Sequence, residues 1–215
     1  MRLVRWLAAG AAFTAFLPAA GAAQSSRLFS NSWFWGATAG TMTFSTNSTK
    51  NAIAPVIGAE WLITRSRGAL YASLQQAFFK ETASLTDFQG APFTVDLKNM
   101  KRATLALLAF PTRYGALRPY GGVGLSLNVI THATVRGSYS SADQASAVES
   151  QITDFKDRAS PVFMVGLQAQ KARFSIFGQA TAMPAQSRFF FSDRATYLFE
   201  GGLRYNIGSA IERQE

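Results

Sequence analysis

Apolar and polar residues alternate with few exceptions over the 17 residues from 120 to 136. Val123, Leu125, Leu127 and Val129 share one face, and the opposite face carries glycine, serine, asparagine and histidine. Because side chains of a strand point to opposite faces with a period of two, this pattern predicts one strand with an apolar and a polar side. A globular strand usually has about 5–6 residues, whereas a tilted strand needs about 9–11 residues to cross a bilayer. The length and the alternation together favour a membrane-spanning strand.

The same alternation recurs in seven other segments of the chain. The predicted strands cover approximately 33–44, 52–64, 69–80, 97–112, 120–136, 161–171, 174–183 and 196–207. The predicted connections alternate between short links at 65–68, 113–117 and 172–173 and longer links at 45–51, 81–96, 137–160 and 184–195. Transmembrane barrels have short periplasmic turns and longer outer loops. We therefore predict an all-β fold, an eight-stranded antiparallel up-and-down transmembrane β-barrel.

Closure of this sheet follows from the absence of water in hydrocarbon. An open sheet would leave unpaired backbone groups at two edges, each costing several kcal/mol, so spanning strands must close into a barrel. Eight strands enclose an interior just wide enough to be filled by side chains, which argues against a continuous aqueous pore. The polar faces should fill that interior, and they include four charged residues, Glu60, Arg102, Glu200 and Arg204. Since buried charges need partners, we expect some of these carboxylates to pair with these arginines.

Aromatic residues cluster near both ends of the predicted strands, which is typical of the interfacial girdles of membrane barrels. The short-turn group comprises Trp33, Tyr71, Tyr114, Tyr120 and Tyr205, and the long-loop group comprises Phe78, Phe79 and Phe189, Phe190 and Phe191. The alternative is that some of these residues pack in a core.

The first 23 residues predict an export signal that is cleaved. Arg2 and Arg5 form a basic start, residues 7–17 are apolar, and small residues at 20–23 supply a cleavage site. A permanent anchor is disfavoured because the apolar run is short and rich in Ala and Gly. Residues 24–215 contain no linker rich in Pro or Ser, so we predict a single barrel domain there.

Composition narrows the chemistry further. The chain has no cysteine, which excludes disulfides and cysteine-ligated metal sites. Its formal net charge of +9 suits nucleic acid, anionic lipid or an acidic polymer as a partner, and export argues against nucleic acid. We expect no cofactor and a monomeric protein.

The last predicted strand carries a family signature. Glu200, Gly202, Tyr205 and Ile207 match a polar residue, a glycine two positions on, and hydrophobic residues three and five positions further, and this spacing resembles the assembly signal of bacterial outer-membrane barrels. The stretch 118–124 resembles a strand opening common in those barrels. The whole predicted domain is similar in plan to the OmpA transmembrane domain and to OmpW-like proteins, although residues 208–215 continue beyond the usual end.

This resemblance implies a location in the cell outer membrane and insertion by the barrel assembly machinery. Some outer-membrane barrels are enzymes that modify lipid A, and the deacylases among them use His, Ser and a carboxylate on the outer wall. His132 is the sole histidine here, and its parity groups it with Ser126 and Thr134 on the inward polar face. We therefore predict no catalytic site, and a role for His132 in a polar network.

Basic residues gather at the long-loop ends of the predicted strands, at the height where lipopolysaccharide presents its phosphates. We predict possible lipopolysaccharide contacts at Lys80, Arg136, Lys156, Arg158, Arg188 and Arg194. The alternative is that these charges are solvated and balanced by acidic neighbours.

The sequence thus predicts a non-enzymatic outer-membrane barrel with a structural or surface-interaction role, or one that passes small apolar solutes sideways into the membrane. The two alternatives are a lipid A-modifying enzyme and a soluble, exported lipocalin-like barrel, which would place its apolar faces inside. The polar faces consist mainly of Gly, Ser, Thr, Gln and Asn, which suits a crowded interior better than a surface in water.

Overall fold

A computed structural model describes residues 29–86, 92–137, 139–186, 189–191 and 194–209. It contains eight strands and one helix: β1 (Ser32–Phe44), β2 (Ala52–Thr64), β3 (Gly68–Thr86), β4 (Pro92–Ala109), β5 (Leu117–Arg136), α1 (Ala142–Lys156), β6 (Asp157–Lys171), β7 (Phe174–Met183) and β8 (Thr196–Ser209). Consecutive strands pair antiparallel, and β1 pairs with β8 to close the barrel. The predicted fold class is confirmed. The predicted export signal lies outside the described residues.

The alternation of each strand sets which side chains face outward. In β5, Val123, Leu125 and Leu127 are 57%, 63% and 48% exposed, whereas Ser126 and Asn128 between and beside them are buried. Large apolar side chains also line the outside of the other strands, among them Ile57, Leu74, Leu105, Val165, Ile176 and Phe199. This orientation is the reverse of a lipocalin-like barrel, in which the apolar faces would be buried.

The outward apolar surface forms a continuous belt. On β2 it extends from Ile53 to Ile63, which corresponds to roughly 25 Å along the barrel axis at a rise of about 3.3 Å per residue and a tilt of about 40°. Monomeric soluble proteins rarely expose contiguous apolar patches beyond a few hundred Å². A belt of this height matches the hydrocarbon of a bilayer.

Among the described residues, no helix has both the length and the apolar character that a membrane crossing requires.

The β3–β4 connection differs from the sequence prediction. The segment 81–96 was expected to be a loop, but the two strands stay paired as far as Thr86 opposite Pro92. Thr82 and Ser84 alternate with Ala83 and Leu85, which are buried in an apolar cluster at the long-loop end of the interior. The strands therefore continue beyond the belt as a protruding hairpin.

The protruding part of β3 needs a partner along its other edge, because β2 pairs with β3 only as far as Val56 opposite Ala77. Side chains of the β1–β2 loop take the place of that partner. The Thr46 hydroxyl donates to the carbonyl of Thr82 at 2.7 Å, and the Ser84 N–H donates to Asn47 Oδ1 at 2.8 Å. These bonds cover a bare strand edge without a further strand.

Replacing Asn47 with alanine should expose the upper edge of β3. Losing both side-chain bonds to the Ser84 backbone should cost about 1 kcal/mol and accelerate amide exchange at Ser84. Hydrogen exchange followed by NMR checks this, with Lys50→Ala in the same loop as the control. Unchanged protection of Ser84 in the Asn47 variant would contradict the proposed edge cover.

The interior is filled in three layers. An apolar cluster at the short-turn end includes Phe29, Phe34, Leu62 and Leu108. A second apolar cluster at the long-loop end, the upper cluster, contains Met42, Phe44, Val56, Leu97, Met100, Ile130, Val148, Ile152, Phe189, Phe190, Phe191 and Leu198. Buried polar side chains occupy the space between them.

Several aromatic residues lie elsewhere than the girdle prediction put them. Phe189, Phe190 and Phe191 are buried in the upper cluster, and Tyr71 and Tyr120 are buried near the short-turn end. The exposed aromatics at that end are Trp33, Trp35, Trp61, Tyr114, Phe174 and Tyr205, and Phe78 is exposed on β3. Parity places Tyr71 and Tyr120 inward, whereas the burial of the three loop phenylalanines depends on how the β7–β8 link folds back.

The link between β5 and β6, predicted as a longer connection over 137–160, contains the helix α1. Ser141 caps it by accepting a hydrogen bond from the Gln144 N–H at 3.1 Å. Val148 and Ile152, one helical turn apart, are buried in the upper cluster. The helix thus covers part of the long-loop end of the barrel.

Candidate functional site

The polar layer is centred on a buried ion pair between β2 and β8. Arg204 donates from Nε and Nη2 to the two carboxylate oxygens of Glu60, the second at 3.3 Å, and both side chains are buried. Gly36 of β1 lies opposite both residues. A Cβ at Gly36 would lie 3.0 Å from Glu60 Oε1 and 3.1 Å from Arg204 Cγ. Glycine therefore leaves the space in which the pair meets across β1.

Other interior groups complete the coordination of Arg204. Its Nη1 donates to Gln168 Oε1 at 2.7 Å, and its guanidinium lies 3.8 Å from the centre of the Phe177 ring. A buried arginine keeps its charge only when its donors are satisfied. The Glu60–Arg204 ion pair therefore links β2 to β8 inside the barrel and has a structural role.

Glu200 is held by amides instead of arginine. Gln75 Nε2 and Gln179 Nε2 donate to its two oxygens, the latter at 3.1 Å. Tyr120 donates to Gln179 Oε1 at 2.9 Å. Arg102 donates from Nε to Ser126 Oγ at 2.9 Å, and no ion pair joins it to Glu200 among the described residues.

The structure thus buries all four charged residues predicted for the interior, Glu60, Arg102, Glu200 and Arg204. It brings Glu60 and Arg204 together and gives the other two neutral partners. Sequence reasoning did not identify Gln75 and Gln179 as the partners of Glu200, or Gln168 as a further partner of Arg204. Their inward parity was readable, but their pairing depends on contacts across the lumen.

The residues of the assembly-signal pattern divide between the two faces of β8. Glu200 and Gly202 face the interior, where a Cβ at Gly202 would lie 2.6 Å from the Phe177 ring. Tyr205 and Ile207 face outward and are exposed.

The predicted lipopolysaccharide contacts do not form one cluster. Arg136 is exposed and pairs with Asp96 at 2.7 Å. Lys80, Arg158 and Arg194 are exposed on β3, β6 and the β7–β8 link, and Lys156 ends α1 with partial burial. Arg188 lies outside the described residues.

A different basic group crosses the outer wall, and we name it the wall row: Lys80, Lys98, Lys101 and His132. Lys80 lies opposite Lys98, and Lys98 lies opposite His132, so three basic residues follow one line across β3, β4 and β5. Lys101 lies opposite Val129, the last outward apolar residue of β5. All four are exposed. The row therefore marks the long-loop border of the apolar belt.

The position of His132 corrects the sequence prediction, which put it on the inward face. Ile130 is buried inward, yet Ala133 and Val135 also pack against the upper cluster, so the alternation of β5 reverses between them. On β4 the alternation reverses at Asn99, which has φ 56°, between buried Met100 and Leu97. Asparagine tolerates this left-handed conformation better than most residues. Period-two reasoning cannot locate such a reversal on a single strand.

An open groove lies on the outer wall over β1 to β5. Its volume is about 660 Å³, and its lining includes the large side chains of Ile57, Leu74, Leu127 and Val129 and the small residues Ala37, Gly58 and Ala103. Gln76 and Lys101, which lie opposite each other, are its polar outward-facing residues. The groove was missed from sequence because it depends on which small residues align across neighbouring strands.

The outward position of His132 also bears on catalysis. Thr134 lies on the same face of β5 opposite Asp96, but Asp96 is bound to Arg136, and Ser126 is buried inside the barrel. A hydrolytic triad requires the nucleophile, histidine and carboxylate to be linked by hydrogen bonds, and no such chain is formed here among the described residues. The described part of the chain also holds no group of three or more His, Asp or Glu side chains arranged to bind a metal ion.

A closed antiparallel barrel with an apolar exterior and a buried polar layer in its interior defines a class of membrane protein. The chain is a small transmembrane β-barrel of the outer-membrane type. No protein-family model matches the sequence. No curated protein matches it by sequence either.

Solved structures with a similar fold do exist. Neisserial surface protein A aligns over 81% of this chain and 97% of its own, with 11% identity and a TM-score of 0.54. Ail, the attachment invasion locus protein of Yersinia pestis, aligns over 82% of this chain and 99% of its own, with 11% identity and a TM-score of 0.48. At these identities, the likeness to the Neisserial protein shows the fold alone.

Proposed function

We propose that this barrel is a non-enzymatic integral protein of the bacterial outer membrane with a surface-interaction or structural role. One observation carries the proposal: apolar clusters fill both ends of an interior whose centre is a bonded polar layer. A filled lumen leaves the protruding β3–β4 hairpin, α1 and the outer wall as the parts that meet partners. Neisserial surface protein A has the same fold, and its name supports a role at the surface.

We further propose that the partners are outer-membrane lipids, including lipopolysaccharide, and that the barrel is monomeric. Exposed basic residues at the long-loop end, including Lys80, Arg136, Arg158 and Arg194, support lipid contact because arginine and lysine bind phosphate. The outward Tyr205 and Ile207 on the final strand support recognition by the barrel assembly machinery.

Passage of solutes is the first property to test. The purified mature barrel in planar bilayers should give no discrete channel currents, because side chains from both apolar clusters fill its lumen. A porin in the same bilayer is the positive control. Step-like currents that scale with the amount of barrel would contradict the proposed non-conducting role.

Catalysis on lipid A is the second property to test. Lipid A from cells that express the wild type or His132→Ala should keep all its acyl chains, because His132 is not bonded to a nucleophile or a carboxylate. Mass spectrometry of extracted lipid A measures this directly. Acyl loss in the wild type that disappears in His132→Ala would establish the enzyme alternative instead.

A further inference from the structure

The wall row carries an unbalanced positive charge. Lys80 and Lys98 are directly opposite, where Cβ atoms are about 4.5–5.5 Å apart and like charges destabilise the sheet. No carboxylate forms an ion pair with either lysine or with Lys101 among the described residues. An anion bound from outside would balance this charge.

The acidic residues closest to the row in the sheet do not supply that balance. Glu81 follows Lys80 on β3 and lies opposite the buried Leu97, so its side chain points to the opposite face of the strand from Lys80. Asp96 already binds Arg136. Asp157 is exposed on β6 opposite Val129, two strands from Lys101 and hence about 10 Å away. The three lysines therefore present a net positive surface to their surroundings.

The groove is continuous with this surface through Lys101, which belongs to both. Its volume of about 660 Å³ falls within the range of about 300–1,000 Å³ that is usual for ligand sites. Its exposed lining is mainly apolar, and the buried polar side chains of Thr38, Gln75 and Arg102 border it from the interior. A ligand that fits both parts has an anionic headgroup at the belt border and a hydrocarbon chain below it.

We propose that the outer wall of β1 to β5 is a binding site for one molecule of lipid A, the phosphorylated anchor of lipopolysaccharide. Its phosphates contact Lys80, Lys98 and Lys101, and one acyl chain lies in the groove. The assignment rests on the proposed function, because it requires the long-loop end to face the outer leaflet. Two phosphates supply enough negative charge to offset three lysines.

Lipid titration of the refolded mature barrel in detergent tests this site. Native mass spectrometry counts bound bisphosphoryl lipid A for the wild type and for the triple variant Lys80→Gln, Lys98→Gln, Lys101→Gln. We expect binding to weaken about tenfold or more in the triple variant, since each lysine near an anionic lipid adds attraction. Ala103→Leu, which fills the groove and keeps every charge, should weaken binding about threefold or more.

Two single variants serve as controls. Lys50→Gln removes an exposed charge from the β1–β2 loop at the same end, and Lys171→Gln removes one at the opposite end. Neither should change lipid A binding, and heat-modifiable gel migration should verify folding of all variants.

Three outcomes separate the possibilities. Equal binding by the wild type and the triple variant would overturn the site. Phosphatidylglycerol that binds as tightly as lipid A would overturn its assignment to lipid A. Neither of these two results would contradict the proposed non-conducting barrel. Channel currents from the wild type would overturn the proposed function and leave the lipid titration unaffected.

Discussion

Replacing Glu60 with alanine is expected to destabilise the barrel by about 3–5 kcal/mol, because it leaves a buried arginine without its counter-charge. Arg204 is fully enclosed, and its other polar partner, Gln168, is neutral. Urea-induced unfolding from lipid vesicles, followed by tryptophan fluorescence, measures the change.

The double variant Glu60→Met, Arg204→Met provides the matched comparison. It removes both charges, so it should lower the free energy of unfolding by less than Glu60→Ala does. Asp96→Asn disrupts the exposed ion pair with Arg136 and should cost less than about 1 kcal/mol. If Glu60→Ala lowered the stability as little as Asp96→Asn, the buried ion pair would not be what stabilises the barrel at this position.

Placing a charge on the apolar belt should have the second largest effect. Leu125 is 63% exposed near the middle of the outward run of β5 from Leu117 to Val129. Leu125→Arg should lower the free energy of unfolding from vesicles by about 2–4 kcal/mol, because arginine near the bilayer midplane is poorly solvated.

Thr134→Arg is the control for depth. Thr134 is exposed on the same strand beyond the wall row, where arginine should cost only about 0–1 kcal/mol. Equal effects at Leu125 and Thr134 would mean that the apolar belt does not face lipid.

The regular part of the fold was predictable from local pattern. Strands β1, β2, β5, β7 and β8 begin and end within about three residues of their predicted bounds. The inward position of the four buried charges followed from the same parity, because alternation extends through each spanning segment without interruption. Sequence reasoning was least accurate where the chain leaves the bilayer and the requirement for an apolar outward face ends.

The candidate site was only partly predictable. Lys80 was identified, but Lys98 was not singled out within the strand predicted over 97–112, and His132 was assigned to the lumen. Both outcomes have one cause: β4 and β5 continue past the belt and reverse their alternation near Asn99 and Ile130. Such a reversal is stabilised by packing against the upper cluster, which is made of residues far apart in sequence.

The sequence by itself predicted the barrel, its strand number and which faces meet lipid, because strands in hydrocarbon must pair all their backbone groups and their side chains alternate with a period of two. Only the tertiary structure decided the partners within those faces: Glu60 with Arg204, amides around Glu200, and three lysines beside an apolar groove. Those contacts depend on strand register and on the small residues that allow close approach, and neither is encoded in the alternation of a single strand.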